Sequence, residues 1–261
     1  MTQLHQAEHV GVATADAVMT IILRRGEKLN AISPSMRKTL QKAIKRFGDD
    51  ESLRVLVIGA EGRFFSSGMD ISAMKTQPES GVALRNTYRE LHEIFDRIES
   101  IEKPTVAAVQ GPCLGGALEM VLSCDFRLAS RDAYFALPEI AIGVLPGSGG
   151  TSRLTQLVGK GWARWMIMAN QRVAADHAEQ IGLVQAVYSA DEFAIRVDEF
   201  VRTLAALPRE AMGLAKLAIE LTDELGRDAA RNVERVANTL LMTGREHQEA
   251  IAAFRNRKSN K

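Results

Sequence analysis

Apolar positions along this chain follow two periods, and the period changes about two thirds of the way through. Val18-Met-Thr-Ile-Ile-Leu23, a short β-branched run after polar residues, predicts a strand. Arg24 to Lys28 predicts a turn. Ser33 and Pro34 then read as the cap and first position of a helix. That helix reaches about Phe47, with Met36, Leu40, Ile44 and Phe47 on one face. Val55-Leu-Val-Ile58 is continuously apolar, as in a strand buried on both sides. Leu84 to Ser100 predicts a helix with Leu84, Tyr88, Leu91, Phe95 and Ile98 in register. Thr105 to Val109, Asp125 to Ala129 and Ala133 to Ala136 predict further strands. Residues 116–123 are too short and apolar for period alone to separate helix from strand; the glycine pair and Ala-Leu-Glu-Met favour helix.

Beyond Trp162 the pattern turns helical. Helices are predicted over 163–169 and 174–181, with Trp162 and Trp165 packing on the core, then a last strand over 183–188. Everything after Asp191 reads as helix, with breaks at Leu207-Pro208 and Gly226. Alternating strands and helices followed by a helical end predict an α/β core over 1–190 and a helical segment over 191–261.

Composition narrows the function classes. The 261 residues can bury a large core, and 46% apolar with 25% charged residues is ordinary for a globular protein. A net charge of +1 supplies no field for a dedicated nucleic-acid binder, so no nucleic-acid partner is expected. No apolar run reaches membrane-spanning length, and no basic stretch precedes an apolar leader. A cytoplasmic location without a membrane partner is the expectation. Cys113 and Cys124 are too few for a disulfide scaffold, lack metal-ligand spacing and read as buried thiols. The five histidines form no metal pattern either.

Candidate chemistry sits in three places. Cys113-Leu-Gly-Gly-Ala-Leu-Glu119 places two glycines just ahead of a glutamate at a helix start. The glycines serve either as a tight turn or as a backbone donor that a ligand can approach closely. Phe65-Ser-Ser-Gly-Met-Asp70 offers a second freed backbone N–H, at Met69. Two such donors on one oxygen would make an oxyanion hole, with Gly116 the partner of Met69. Glu119 and Glu139 both lie in apolar runs. Each either reaches water or a cation, or is a buried carboxyl whose raised pKa suits proton transfer. Pro146-Gly-Ser-Gly-Gly150 has proline where a nucleophile elbow needs glycine, and reads as a turn leading into a helix near the pocket.

Three blocks carry a resemblance: Phe64 to Ile71, Ala107 to Met120 and Phe135 to Thr151, supported by Leu29-Asn-Ala-Ile32 and Gly182-Leu-Val184. Together they resemble the enoyl-CoA hydratase/isomerase (crotonase) superfamily almost end to end, and an enoyl-CoA hydratase most of all. The resemblance implies a crotonase-like (ClpP/crotonase) α/β spiral of repeated ββα units. It implies that residues 191–261 assemble trimers, often paired into hexamers. It implies a coenzyme A thioester as substrate, with no cofactor besides the coenzyme A that the substrate carries, and no metal. Met69 and Gly116 then form the oxyanion hole. Met69, Asp70, Ile71, Ser72 and Gly116 line the coenzyme site, largely through backbone, and Glu119 and Glu139 fall where hydratases carry their catalytic pair. Residues 72–100 and the C-terminal helices are expected to wall the acyl pocket.

Overall fold

A computed structural model describes residues 5–7, 9–73 and 80–259. Its main sheet opens with β1 (His5–Ala7), β2 (Val10–Ala15) and β3 (Val18–Leu23), paired antiparallel. Four strands follow in parallel: β4 (Val55–Ala60), β5 (Thr105–Val109), β7 (Phe126–Ser130) and β10 (Ala186–Tyr188). A smaller sheet joins β6 (Cys113–Leu114), β8 (Tyr134–Ala136) and β9 (Val173–Ala174). The helices are α1 (Pro34–Asp49), α2 (Gly81–Ser100), α3 (Gly116–Leu122), α4 (Gly150–Ile167) and α5 (Ala175–Gln180), then α6 (Phe193–Ala206), α7 (Arg209–Glu224), α8 (Arg227–Thr243) and α9 (Arg245–Ser259).

The continuous apolar strands have a clear cause. Successive strand side chains point to opposite faces. Leu56, Ile58, Ala107 and Val109 enter one core with α1, α2 and α3. Val55, Val57, Val106 and Ala108 enter a second core on the other face, covered by Phe193, Val201 and Leu204 of α6. The helical end therefore supplies the second cover of the central sheet. Beyond α6, buried positions are scarce, and Val236, Leu240 and Met242 of α8 stand between 61% and 67% exposed.

Helix α1 starts as predicted, with the Ser33 hydroxyl accepting from Met36 N at 3.2 Å and Pro34 at the first position. Strand β2 is an element the pattern did not predict. Only Val10 and Val12 mark it in sequence, and its hairpin turn uses Asp16 and Ala17 at positive φ rather than Asn-Gly. Helix α4 begins thirteen positions earlier than the predicted 163–169. Glycines at 159 and 161 mimic a break, and Gly159 is indeed a kink inside the helix. The last strand shortens to β10, because Leu183 and Val184 close a turn back to Ala178. Trp162 packs edge-on to His177, whereas Trp165 is 49% exposed and does not pack on the core. Helix α2 begins at Gly81, and its first turns stand proud of the core: Leu84 and Tyr88 are exposed. Among the described residues no helix is long and apolar enough to cross a membrane.

Candidate active site

Three backbone segments are laced into one floor. The loop after β4 bridges Ser66 to Cys113: Ser66 N donates to Pro112 O at 3.2 Å and Leu114 N to Ser66 O at 3.0 Å. Gly115 N reaches Ala136 O of β8 at 2.9 Å. Ile32 N donates to Gly68 O and Asp70 N to Ile32 O, a parallel bridge that turns the N–H of Met69 away from Ile32. Gly68, at φ +96°, lies so near the glycine turn that a methyl group on it would stand 2.8 Å from Leu114 O and 3.3 Å from Gly116 N. The Met69 side chain packs on Gly116, where an added methyl would meet its Cγ and Cε at 2.8 Å. Only glycine fits that floor. Met69 and Gly116, 47 positions apart in sequence, are thus neighbours.

Glu119 lies in the first turn of α3 and is 4% exposed. Its Oε1 accepts from Ser148 N at 2.6 Å and Gly150 N at 3.0 Å. Burial pushes its pKa up, and those two N–H groups pull against the rise. Glu139 sits in a 3-10 turn, Pro138–Ile142. Its Oε1 faces Gly115, where a methyl would come within 2.9 Å. Its Oε2 is buried and has no hydrogen-bond partner. Burial lifts its pKa to about 7; its own backbone N–H pulls against the rise, and the nearby charge of Glu119 adds to it. Two carboxylates thus face one glycine-lined floor, one clamped by two backbone donors from a remote loop and one with an oxygen left unpartnered.

Asp70 is tied down in a different way. Its carboxylate accepts from Ser72 Oγ at 2.5 Å, Ser72 N at 3.0 Å and Arg25 Nη1 at 2.5 Å. The Ser72 hydroxyl and the Arg25 guanidinium hold its pKa at about 2. Arg25 is therefore spent inside the protein, and Arg24 pairs with Glu61 at 2.8 Å. Ile71 and Ser72 are exposed on the turn that follows. Residues 74–79, part of the stretch expected to wall an acyl pocket, lie outside the described residues. Burial raises the pKa of both thiols, that of Cys124 to about 12. Among the described residues no group of three or more His, Cys, Asp or Glu side chains is placed to hold a metal.

Sequence reasoning missed the residues behind Glu119. Ser148 and Gly150 act through N–H groups, which leave no side-chain signature. The Gly-Ser-Gly-Gly run marked a turn, but nothing in it pointed at Glu119. Arg153 was also missed. It reaches Glu99 at 2.7 Å and Asp96 at 2.6 Å on α2, and Ser148 O at 3.4 Å.

A mixed sheet with helices on both faces, and a glycine floor beneath one buried and one half-buried glutamate, places the chain in the crotonase fold class. The family described as enoyl-CoA hydratase/isomerase matches residues 13–261, and the chain belongs to that family. A "Short-chain-enoyl-CoA hydratase" of Clostridium acetobutylicum is 35% identical over 91% of this chain and 90% of its own. A "4-chlorobenzoyl coenzyme A dehalogenase-2" of Arthrobacter sp is 32% identical over 95% and 91%. The crystal structure of an enoyl-CoA hydratase from Bacillus anthracis superposes with a TM-score of 0.89. It is 27% identical and covers 96% of this chain and 97% of that one. The family is plain; relatives of similar identity carry different reactions.

Proposed function

We propose that this protein adds water reversibly across the 2,3 double bond of a 2-enoyl-CoA thioester. The observation that carries the reading is the unequal treatment of two glutamates beside one floor, Glu119 buried and Glu139 half-buried. Hydration needs a base for water and an acid for Cα at the same moment. Glu119, ionised and aimed by Ser148 and Gly150, orients a water and takes its proton as the oxygen attacks Cβ. The π electrons move toward the thioester oxygen, where the N–H groups of Met69 and Gly116 stabilise the enolate charge. Glu139, about half protonated at neutral pH, delivers its proton to Cα. Solvent then resets both carboxyls. Asp70, Ile71 and Ser72 continue the floor at the surface and suit the coenzyme through backbone contacts. No cofactor beyond the substrate's own coenzyme A is required by these steps.

Isomerisation by a single shuttling base is the rival within the family, and one experiment separates the two. Purified protein is mixed with crotonyl-CoA, and loss of the enoyl-thioester absorbance is followed for wild type, Glu119→Gln and Glu139→Gln. Hydration predicts losses of about 10²–10⁴-fold in both variants. Full activity in either variant would overturn the two-carboxylate mechanism, and an inert wild type would send the search to 3-enoyl substrates.

We further infer that the face of α8 that exposes Val236 and Leu240, one turn apart, is covered by other copies of this chain. Light scattering should return three or six chain masses. A monomer at micromolar concentration would remove this part of the reading.

A further inference from the structure

We propose that His92 is a positioning residue for Glu119, acting through a single peptide group. The inference rests on Glu119 serving as the base proposed above. His92 lies on α2, half-buried, with Nε2 2.6 Å from the carbonyl oxygen of Gly147. A carbonyl only accepts, so Nε2 carries the proton. That carbonyl belongs to the same peptide unit as Ser148 N–H, the donor 2.6 Å from Glu119 Oε1. The unit is planar, and no peptide bond among the described residues is cis. The C=O and N–H therefore point in opposite directions along one rigid plate. His92 grips one end of the plate and Glu119 the other. Rotating the plate to release either bond breaks both.

The two bonds also reinforce each other. A donor on a peptide oxygen polarises that peptide and strengthens what its N–H can donate. The imidazole thus tunes the bond to Glu119 through the peptide, beside a smaller through-space attraction for the carboxylate.

The neighbours show a built latch. Tyr88, one turn before His92 on α2, lays its ring against Gly147. A methyl on Gly147 would stand 3.1 Å from Tyr88 Cε1. This contact explains why a residue in the predicted apolar register stays 38% exposed. Its ring serves the loop rather than the core. Thr151 Oγ1 donates to Pro146 O at 3.1 Å and Arg153 Nη1 to Ser148 O at 3.4 Å, so the flanking peptides are held by α4. Only His92, from α2, holds the central plate by its oxygen among the described hydrogen bonds. Helix α2 and the loop that clamps the proposed base are joined by that bond.

The test compares His92→Phe, which keeps the ring and loses the donor, with His92→Gln, whose amide nitrogen sits at a similar reach. Steady-state rates on crotonyl-CoA and hydrogen exchange at the Ser148 and Gly150 amides are both measured. In His92→Phe, kcat should fall between about tenfold and about a hundredfold with KM within about twofold, as expected for a misaimed base. Exchange at Ser148 should quicken by about tenfold while β5 and α3 stay protected. His92→Gln should restore both. Equal losses in the two variants, or unchanged exchange in His92→Phe, would overturn the proposal. A wild type inert on enoyl-CoA substrates would defeat the hydratase reading alone; exchange at Ser148 would still decide whether His92 holds the plate.

Discussion

Glu119 and Glu139 are the same side chain in two opposite settings. Glu119 is almost wholly buried, yet its Oε1 receives two backbone N–H bonds. Glu139 is less buried but leaves Oε2 without a partner, and it feels the charge of Glu119. Burial alone raises both. The two N–H donors pull against that rise at Glu119. Two carboxylates near one site do not ionise cheaply together, and the donors favour charge on Glu119. On the proposed reading, the base and acid roles are separated chiefly by where the backbone donors fall.

The sharpest way to break the contrast is to move the clamp. A methyl on Gly150 would stand 2.7 Å from Pro146 Cβ and 2.8 Å from Glu119 Oε1. Gly150→Ala should push the carboxylate off its donors and lower kcat by about 10²-fold. Unchanged turnover would mean that the clamp does not aim the base. A second check reads the pH profile of kcat. Hydration needs Glu139 protonated and should fall as pH rises through about 7. Dehydration needs it ionised and should fall as pH drops through the same region. Profiles that run parallel in the two directions would reverse or remove the acid assignment.

The smallest effect is on stability. The folded protein holds Glu139 at about 7 against an ordinary 4.5, so it binds a proton that the unfolded chain releases. The native state gains from that proton fully below about 4.5 and loses it as pH rises through about 7. Above pH 7 the ionised group costs stability. Glu139→Gln should therefore unfold at higher denaturant concentration than wild type at pH 8, by about 1–3 kcal/mol, and lose most of that advantage at pH 5. A variant less stable at pH 8 would show that Glu139 finds compensation in the fold.

Much of the candidate site was legible because its residue types stand out in the sequence. Glu119 beside paired glycines and Glu139 in an apolar run stood out, as did the freed backbone at Met69. What stayed hidden acts without a side-chain signature or across long separations. Ser148 and Gly150 act through N–H groups that every residue but proline has. His92 looks like one of five scattered histidines until its distance to Gly147 is known. Arg25 lies in a stretch that reads only as a turn, whereas the fold pairs it with Asp70, 45 positions away. In the fold itself, β2 and the front of α4 were lost for a local reason: glycines and small residues blur the period on which such readings depend.

The sequence by itself determined the alternation of buried strands and amphipathic helices, because apolar spacing follows backbone geometry directly. It also determined the blocks that mark the family. Tertiary structure decided which partners each group has. The floor of Gly68, Met69 and Gly116, the clamp on Glu119, the bare oxygen of Glu139 and the plate held by His92 all join segments remote in sequence. Their pKa values follow from burial and donors, which exist only after the chain has folded.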